Sequence, residues 1–136
     1  MKEKEERANE LENNAYFWQK LDTLILSGKL ECIRKAGDAS VDCPQLTYPV
    51  DFMVLKDVIS AKDTPLYCFL GSKKTLSASA ILVQADILSR EVLTKVLVGC
   101  TPEECNLILK FINAMEFQKA ILVRRGSQTP SWARGD

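Results

Sequence analysis

Histidine is absent from the 136 residues of this chain. It is the side chain whose ordinary pKa lies nearest to physiological pH, so it often serves as a general base and as a metal ligand. Its absence excludes three kinds of site at once: serine triads with a histidine base, histidine general bases and metal centres with imidazole ligands.

Cysteines at metal-binding or redox spacing are also lacking. The chain has five cysteines and no Cys-x-x-Cys segment. An odd number without that spacing indicates neither a disulfide framework nor a zinc site. We therefore expect free thiols, several of them buried, in a reducing compartment. The cysteines are Cys32, Cys43, Cys68, Cys100 and Cys105.

Neither an excess of one charge nor a long apolar run is present. Basic and acidic residues number 18 each, and no basic stripe typical of nucleic-acid binding is evident. Charges interrupt the apolar runs, which are too short to span a bilayer. The N-terminal KEKEER lacks the apolar region of a secretory signal. These patterns predict a cytoplasmic protein with no nucleic-acid or membrane partner.

The length predicts a single domain, which we place over residues 10–126. A chain of this size buries a core without disulfides or a structural metal. Residues 1–9 are expected to form a flexible N-terminus. The polar, breaker-rich residues 127–136 are expected to form a disordered tail.

The periodicity of apolar residues predicts a helix, five strands, a second helix and a last strand. The first helix is predicted over 10–27, with Trp18 on its apolar face and Gly28 at its C-cap. Thr101-Pro102-Glu103-Glu104 is a capping box that begins the second helix. The strands are predicted over residues 29–34, 52–59, 66–70, 76–85, 92–98 and 119–125.

Consecutive strands separated by short turns favour antiparallel pairing. The predicted class is therefore α+β, mainly β, with an N-terminal helix and a helix before the last strand. A small barrel with the helices packed outside it fits this order, and the OB-like barrel is one such solution.

Four segments of the chain, in their order and spacing, resemble one known family. They are FWQKLD at 17–22, YPVDFMVL at 48–55, DILSREVLTKVLVGCTPEE at 86–104 and AILVRR at 120–125. The family is that of the soluble (family I) inorganic pyrophosphatases, especially its short bacterial subgroup. The resemblance implies an OB-like five-stranded barrel and hydrolysis of pyrophosphate with Mg²⁺ ions held by aspartates.

The loop after the Tyr-Pro strand departs from the family pattern. The family carries three metal-binding aspartates there, and this chain has Lys62, Thr64 and Tyr67 at those positions. Asp63 lies one residue out of register. A lysine brings positive charge toward the metal, so the resemblance implies a degenerate homologue whose Mg²⁺-dependent hydrolysis is lost or weak.

Other residues match the family pattern and are candidates for its chemistry. If the protein is active, Tyr48, Asp86 and Glu91 are the catalytic candidates, and Asp86, Glu91 and Asp63 are the candidate Mg²⁺ ligands. The residues alone leave simpler roles open. Asp86 fits a turn cap, and Glu91 with Lys95 fits a solvated surface pair.

Arg34, Tyr48 and Lys95 are the candidate phosphate-binding residues. The resemblance implies pyrophosphate, or another small phosphate-containing compound, as their ligand. Tyr48 also fits a purely structural role, packing at a strand edge before Pro49.

Three functional hypotheses follow. The first is an inactive homologue that keeps the fold for binding or assembly, as a homo-oligomer or paired with an active paralogue. The alternative is an active pyrophosphatase with a rearranged metal site. A third, binding of single-stranded nucleic acid, rests on analogy with other OB barrels and is disfavoured by the balanced charge.

Overall fold

The computed structural model describes residues 15–61 and 63–126. The predicted N-terminus 1–9, residues 10–14 of the predicted first helix, Lys62 and the predicted tail 127–136 lie outside them. Within the described part, helices and strands follow in the predicted order. Their bounds are α1 Ala15–Ser27, β1 Lys29–Arg34, β2 Asp51–Ala61, β3 Thr64–Leu70, β4 Ala78–Asp86, β5 Glu91–Val98, α2 Pro102–Asn113 and β6 Gln118–Arg124.

The six strands form one open, mixed sheet in the order β1-β2-β3-β5-β4-β6. Neighbouring strands are antiparallel except β3 and β5, which run parallel. The α+β, mainly β class is confirmed. The sheet differs from the implied five-stranded barrel because it has six strands, and β1 and β6 are its two edges.

The connection between β3 and β4 produces this order. Because of this connection, β4 does not pair with β3, and a space for one strand is left between them. β5 then returns from β4 through a tight turn at 87–90 and occupies the gap. β4 runs antiparallel to β3, so β5, which reverses the direction of β4, runs parallel to β3. The expected fully antiparallel pairing is therefore not formed.

Helix α1 covers one face of the sheet. Trp18, Leu21 and Ile25 recur at three- and four-residue spacing and are buried, with Trp18 only 1% exposed. They pack against a cluster that includes Cys68 and Val96. The predicted packing of Trp18 is confirmed, and fully burying such a side chain contributes about 2–3 kcal/mol.

A partly buried ion pair and a glycine fix α1 to the sheet. The Asp22 carboxylate accepts hydrogen bonds from the Ala78 N–H at 2.8 Å and from Arg125 Nη1 at 3.0 Å. At the end of α1, a Cβ on Gly28 would lie 2.5 Å from the Lys56 carbonyl oxygen. Gly28 therefore occupies the predicted C-cap position because the backbone of β2 approaches closely there.

Helix α2 packs on the opposite face of the sheet and covers part of it. We call this whole face the α2 face. The helix begins at the predicted capping box, in which the Thr101 side chain accepts from the Glu104 N–H and Glu104 accepts from the Thr101 N–H. Ile108 and Phe111 are buried against Leu82 and Leu97 of the sheet. Neither helix in the described part of the chain has the length and apolar content to cross a membrane.

The β6 edge is partly blocked by α2. The Asn113 side chain accepts from the Ala120 N–H at 2.6 Å and donates to the Ala120 carbonyl at 3.3 Å. A side chain that satisfies edge backbone groups prevents another strand from pairing there. Assembly by extension of the sheet is therefore impeded at Ala120.

Candidate functional site

The part of the α2 face over β1, β2, β3 and β5 forms an open groove with a cavity of about 620 Å³. Five of the six candidate site residues line it: Arg34, Tyr48, Asp63, Glu91 and Lys95. They come from β1, the segment before β2, the β2–β3 turn and β5. Strand alternation accounts for the last two, because Glu91, Leu93 and Lys95 fall on one face at a period of two.

The floor of this groove is a ladder of aromatic rings. Phe52 stacks on Tyr67 with centroids 5.5 Å apart and on Tyr48 at 5.7 Å, and it contacts Phe69 at 5.0 Å. Tyr48 in turn contacts Phe111 of α2 at 4.8 Å. Such ring pairs add about 0.5–1.5 kcal/mol beyond their buried area. The ladder therefore gives the groove a stiff, apolar base.

Lys95 is one of the residues that line the groove. Its Nζ donates to Gln84 Oε1 at 2.6 Å and lies 5.7 Å from the centre of the Phe52 ring. Burial lowers the pKa of Lys95 to about 8, although the negative charge of Asp86 acts in the opposite direction. The neutral Gln84 amide and the face of the Phe52 ring stabilise an ammonium group less than water does. Burial therefore has the larger effect on the pKa of Lys95.

A second glutamine fixes the amide that receives Lys95. Gln84 Nε2 donates to Gln118 Oε1 at 2.9 Å, and both glutamines are buried. An ammonium group can only donate, so the Gln84 oxygen must face Lys95 and its nitrogen must face Gln118. Neither glutamine was predicted from the sequence to belong to the site. The available signal was one polar residue at an inward position in AILVQA, since buried polar groups require partners.

Arg34 and Tyr48 lie along the groove from Lys95. The register of β1 against β2 shifts between Cys32 and Arg34, and this irregularity brings Arg34 opposite Phe52. Irregularities of this kind commonly redirect a side chain near a site. Burial raises the pKa of Tyr48, and the nearby positive charge of Arg34 opposes the rise. The Tyr48 hydroxyl therefore remains a neutral hydrogen-bond donor at physiological pH.

The three candidate Mg²⁺ ligands do not all line the cavity, although Asp86 lies directly opposite Glu91 in the β4–β5 pair. Asp63, in the β2–β3 turn, and Glu91 line the cavity, but Asp86 does not. The Asp86 carboxylate instead accepts from the N–H groups of Leu88 and Ser89 at 2.9 and 3.0 Å, which is the turn-capping role left open above. Two carboxylates do not supply the converging set that a multi-Mg²⁺ centre requires.

The replaced loop positions, and Asp51 at the start of β2, add no further carboxylate to the lining of the groove. Tyr67 and Thr64 line the groove where the family pattern has carboxylates. The Asp51 carboxylate accepts from the Ala36 N–H at 2.9 Å. Within residues 15–61 and 63–126, no group of three or more His, Cys, Asp or Glu side chains is placed to hold a metal ion. The residues present do not fit the metal centre that the resemblance implies.

A second hollow, of about 770 Å³, follows the outer side of α2. Within the described part of the chain, its lining residues come from α2 and the residue after it, including Glu103, Leu107 and Lys110. One helix cannot surround a ligand, so this hollow is a surface depression. The groove is the better candidate because several elements enclose it.

Comparison with known proteins gives no family assignment. No protein-family model matches this chain, and no curated protein matches it either.

Proposed function

We propose that the groove binds a small phosphate-containing anion and that the protein is a binding protein with lost or weak hydrolytic activity. The observation that carries the proposal is the convergence of Arg34, Tyr48 and Lys95 on one cavity. These residues are widely separated in sequence, and they supply a guanidinium, a phenol and an amine. All three groups donate hydrogen bonds, and phosphate oxygens accept them.

The electrostatics of Lys95 favour an anionic occupant. Folding desolvates its amine without placing a carboxylate against it, and the described ion pairs, Glu31–Lys56 and Asp22–Arg125, do not include it. An anion in the groove would stabilise the charged form of Lys95 and raise its pKa again. Each charge-assisted hydrogen bond gained in this way contributes about 1.5–3 kcal/mol.

The relationship to inorganic pyrophosphatases, with its OB-like barrel, remains a proposal. A second candidate function, an active pyrophosphatase with a rearranged metal site, is favoured by one observation: Asp63 and Glu91 line the same cavity as the phosphate-binding candidates. We place it second because Asp86 is engaged with backbone N–H groups. Pairing with an active paralogue and a cytoplasmic location likewise stay predictions.

The test is calorimetric titration of the full chain with pyrophosphate, with Mg²⁺ present and with Mg²⁺ omitted. The same samples are assayed for released phosphate. We expect saturable binding and little or no turnover. Arg34→Ala should weaken binding at least tenfold. Lys29→Ala, an exposed position on the same strand outside the groove, should leave it unchanged.

Three other outcomes would contradict the proposal or support the second candidate function. No binding by the wild-type protein contradicts the proposal. Turnover on the scale of ordinary enzymes, about 1–1,000 s⁻¹, supports the second candidate function instead. Equal weakening by Arg34→Ala and Lys29→Ala means that the ligand binds outside the groove, which also contradicts the proposal.

A further inference from the structure

Lys95 combines two properties that do not usually occur together in a surface lysine. Its amine is desolvated by the packing of β3, β4 and β5, yet the side chain lines a cavity open to solvent. Its described contacts are the Gln84 amide oxygen and the face of the Phe52 ring. A carboxylate in direct contact would hold the proton on the amine, and here the contacts are neutral.

We propose that Lys95 is a nucleophile that forms a reversible imine with an aldehyde group on a ligand held in the groove. The inference rests on the proposed function, since it requires the groove to be a ligand site, and it names the ligand class more closely. That class is a planar aldehyde carrying a phosphate or similar anion. Its plane would lie on the ladder of Phe52 and Tyr67, and its anion would face Arg34.

The reaction balances without an oxidant or reductant. The lone pair of neutral Nζ forms a bond to the carbonyl carbon, and an amine proton moves to the oxygen, giving a carbinolamine. The carbon–oxygen bond then breaks, the hydroxyl takes the second amine proton and leaves as water, and the nitrogen lone pair forms the C=N bond. Addition of water reverses both steps.

Charged and titratable groups approach Lys95 from several elements. The groove places Glu91 of β5, Tyr67 of β3, Asp63 of the β2–β3 turn and Arg34 of β1 around the same cavity. Asp86, at the end of β4, acts on Lys95 through its charge. Burial is the largest effect on the pKa of Lys95 and favours the neutral amine, and the negative charge of Asp86 opposes it.

The consequence for reactivity is large. With a pKa of about 8, about a quarter of Lys95 is neutral at pH 7.5, against about one molecule in a thousand for an ordinary lysine. An exposed lysine such as Lys56, whose pKa is raised by its hydrogen bond to Glu31, is less reactive still. We expect Lys95 to react on the order of 100-fold faster than Lys56.

Pyridoxal 5′-phosphate is a suitable probe because it is a planar aldehyde that carries a phosphate. The full-length protein is incubated with it at substoichiometric concentration, reduced with borohydride and digested, and the modified lysine is identified by mass spectrometry. We expect modification at Lys95, inhibition by excess pyrophosphate, and a rate that rises with pH to a midpoint near 8. Lys56→Arg should change none of these.

Site mapping in the wild-type protein requires no substitution at Lys95, so a folding defect cannot obscure it. Lys95→Arg, checked for native circular dichroism, should then lose the visible absorbance of the imine. Modification spread over exposed lysines with Lys95 untouched overturns the inference. If pyrophosphate binds in the groove but no imine forms, only this inference fails. If the imine forms at Lys95 and neither pyrophosphate nor phosphate competes, the phosphate-binding proposal and the anionic part of the ligand class fail, and the nucleophilic role of Lys95 stands.

Discussion

The desolvated amine of Lys95 makes the stability of the protein depend on pH in a direction that is unusual for a lysine. Its pKa is about 8 in the folded protein and 10.5 when unperturbed. Between these values the unfolded chain binds more protons, so the free energy of unfolding rises with pH. The cost of burying the ammonium is fully present below about pH 8 and is relieved as the pH approaches 10.5.

The gap between the two pKa values corresponds to about 3 kcal/mol, of which about 2.5 kcal/mol is recovered between pH 7 and pH 10. Lys95→Met removes this contribution. It also leaves Gln84 Oε1 without its donor, a penalty of about 1–3 kcal/mol that does not vary with pH. The free energy of unfolding of the wild-type protein relative to Lys95→Met should therefore rise by about 2.5 kcal/mol over this range.

Urea denaturation followed by circular dichroism at several pH values measures this difference. The difference in stability between two proteins that share the same tyrosines and cysteines cancels the pH dependence that these residues contribute in this range. Lys56→Met is the matched control, because the Glu31 partner raises the pKa of Lys56. Its stabilisation is fully present below the unfolded pKa and is lost only above it, so the Lys56→Met difference should stay nearly flat from pH 7 to pH 10. A Lys95→Met difference that stays flat from pH 7 to pH 10 would refute the reasoning.

Three further predictions concern the scaffold. Asp22→Ala removes the acceptor of Arg125 and of the Ala78 N–H, and urea titration should show a loss of about 2–4 kcal/mol; a loss below 0.5 kcal/mol would contradict the role of this pair. Burial raises the pKa of Glu104, but its hydrogen bonds to Thr101 and Ser72 together lower it below 4.5. Gln keeps an acceptor for the capping box but loses the negative charge at the helix N-terminus, so Glu104→Gln should cost about 0.3–1 kcal/mol at pH 7, and the difference should shrink below about pH 4.5. In thiol labelling of the native protein, Cys32, which is exposed, should react first and the three buried cysteines only on unfolding.

The local structure could be predicted because its causes are local. The strand predicted over 29–34 is observed as Lys29–Arg34, and the capping box at Thr101 begins α2 with both reciprocal hydrogen bonds. A period of two indicates which residues of a strand share a face, and a capping box satisfies orphan backbone groups within four residues. Neither signal depends on distant parts of the chain.

The arrangement of strands could not be predicted in the same way. Alternation in β3 and β5 is compatible with either neighbour and either direction, and the parallel pair Tyr67–Lys95 joins strands separated by β4. That pair places Lys95 beside the aromatic ladder. The buried glutamines behind it were missed because a hydrogen bond between Gln84 and Gln118 spans 34 residues.

The candidate residues can be divided in the same way, into those that distant parts of the chain position and one that its own turn positions. Arg34, Tyr48 and Lys95 were taken from a resemblance, and the structure places them around one cavity. Asp86 was taken from the same resemblance, and its geometry is set by its own turn. A carboxylate directly before a tight turn readily accepts the backbone N–H groups that follow it, and this local effect is readable from the sequence.

The most direct test of the account is nuclear magnetic resonance mapping of pyrophosphate on the ¹⁵N-labelled protein. The account predicts saturable shift changes centred on the amides of Arg34, Tyr67 and Lys95, with Thr23 on the exposed side of α1 unaffected. Shift changes that are absent, or that follow exposed lysines such as Lys29 and Lys56 instead of the groove, would contradict it.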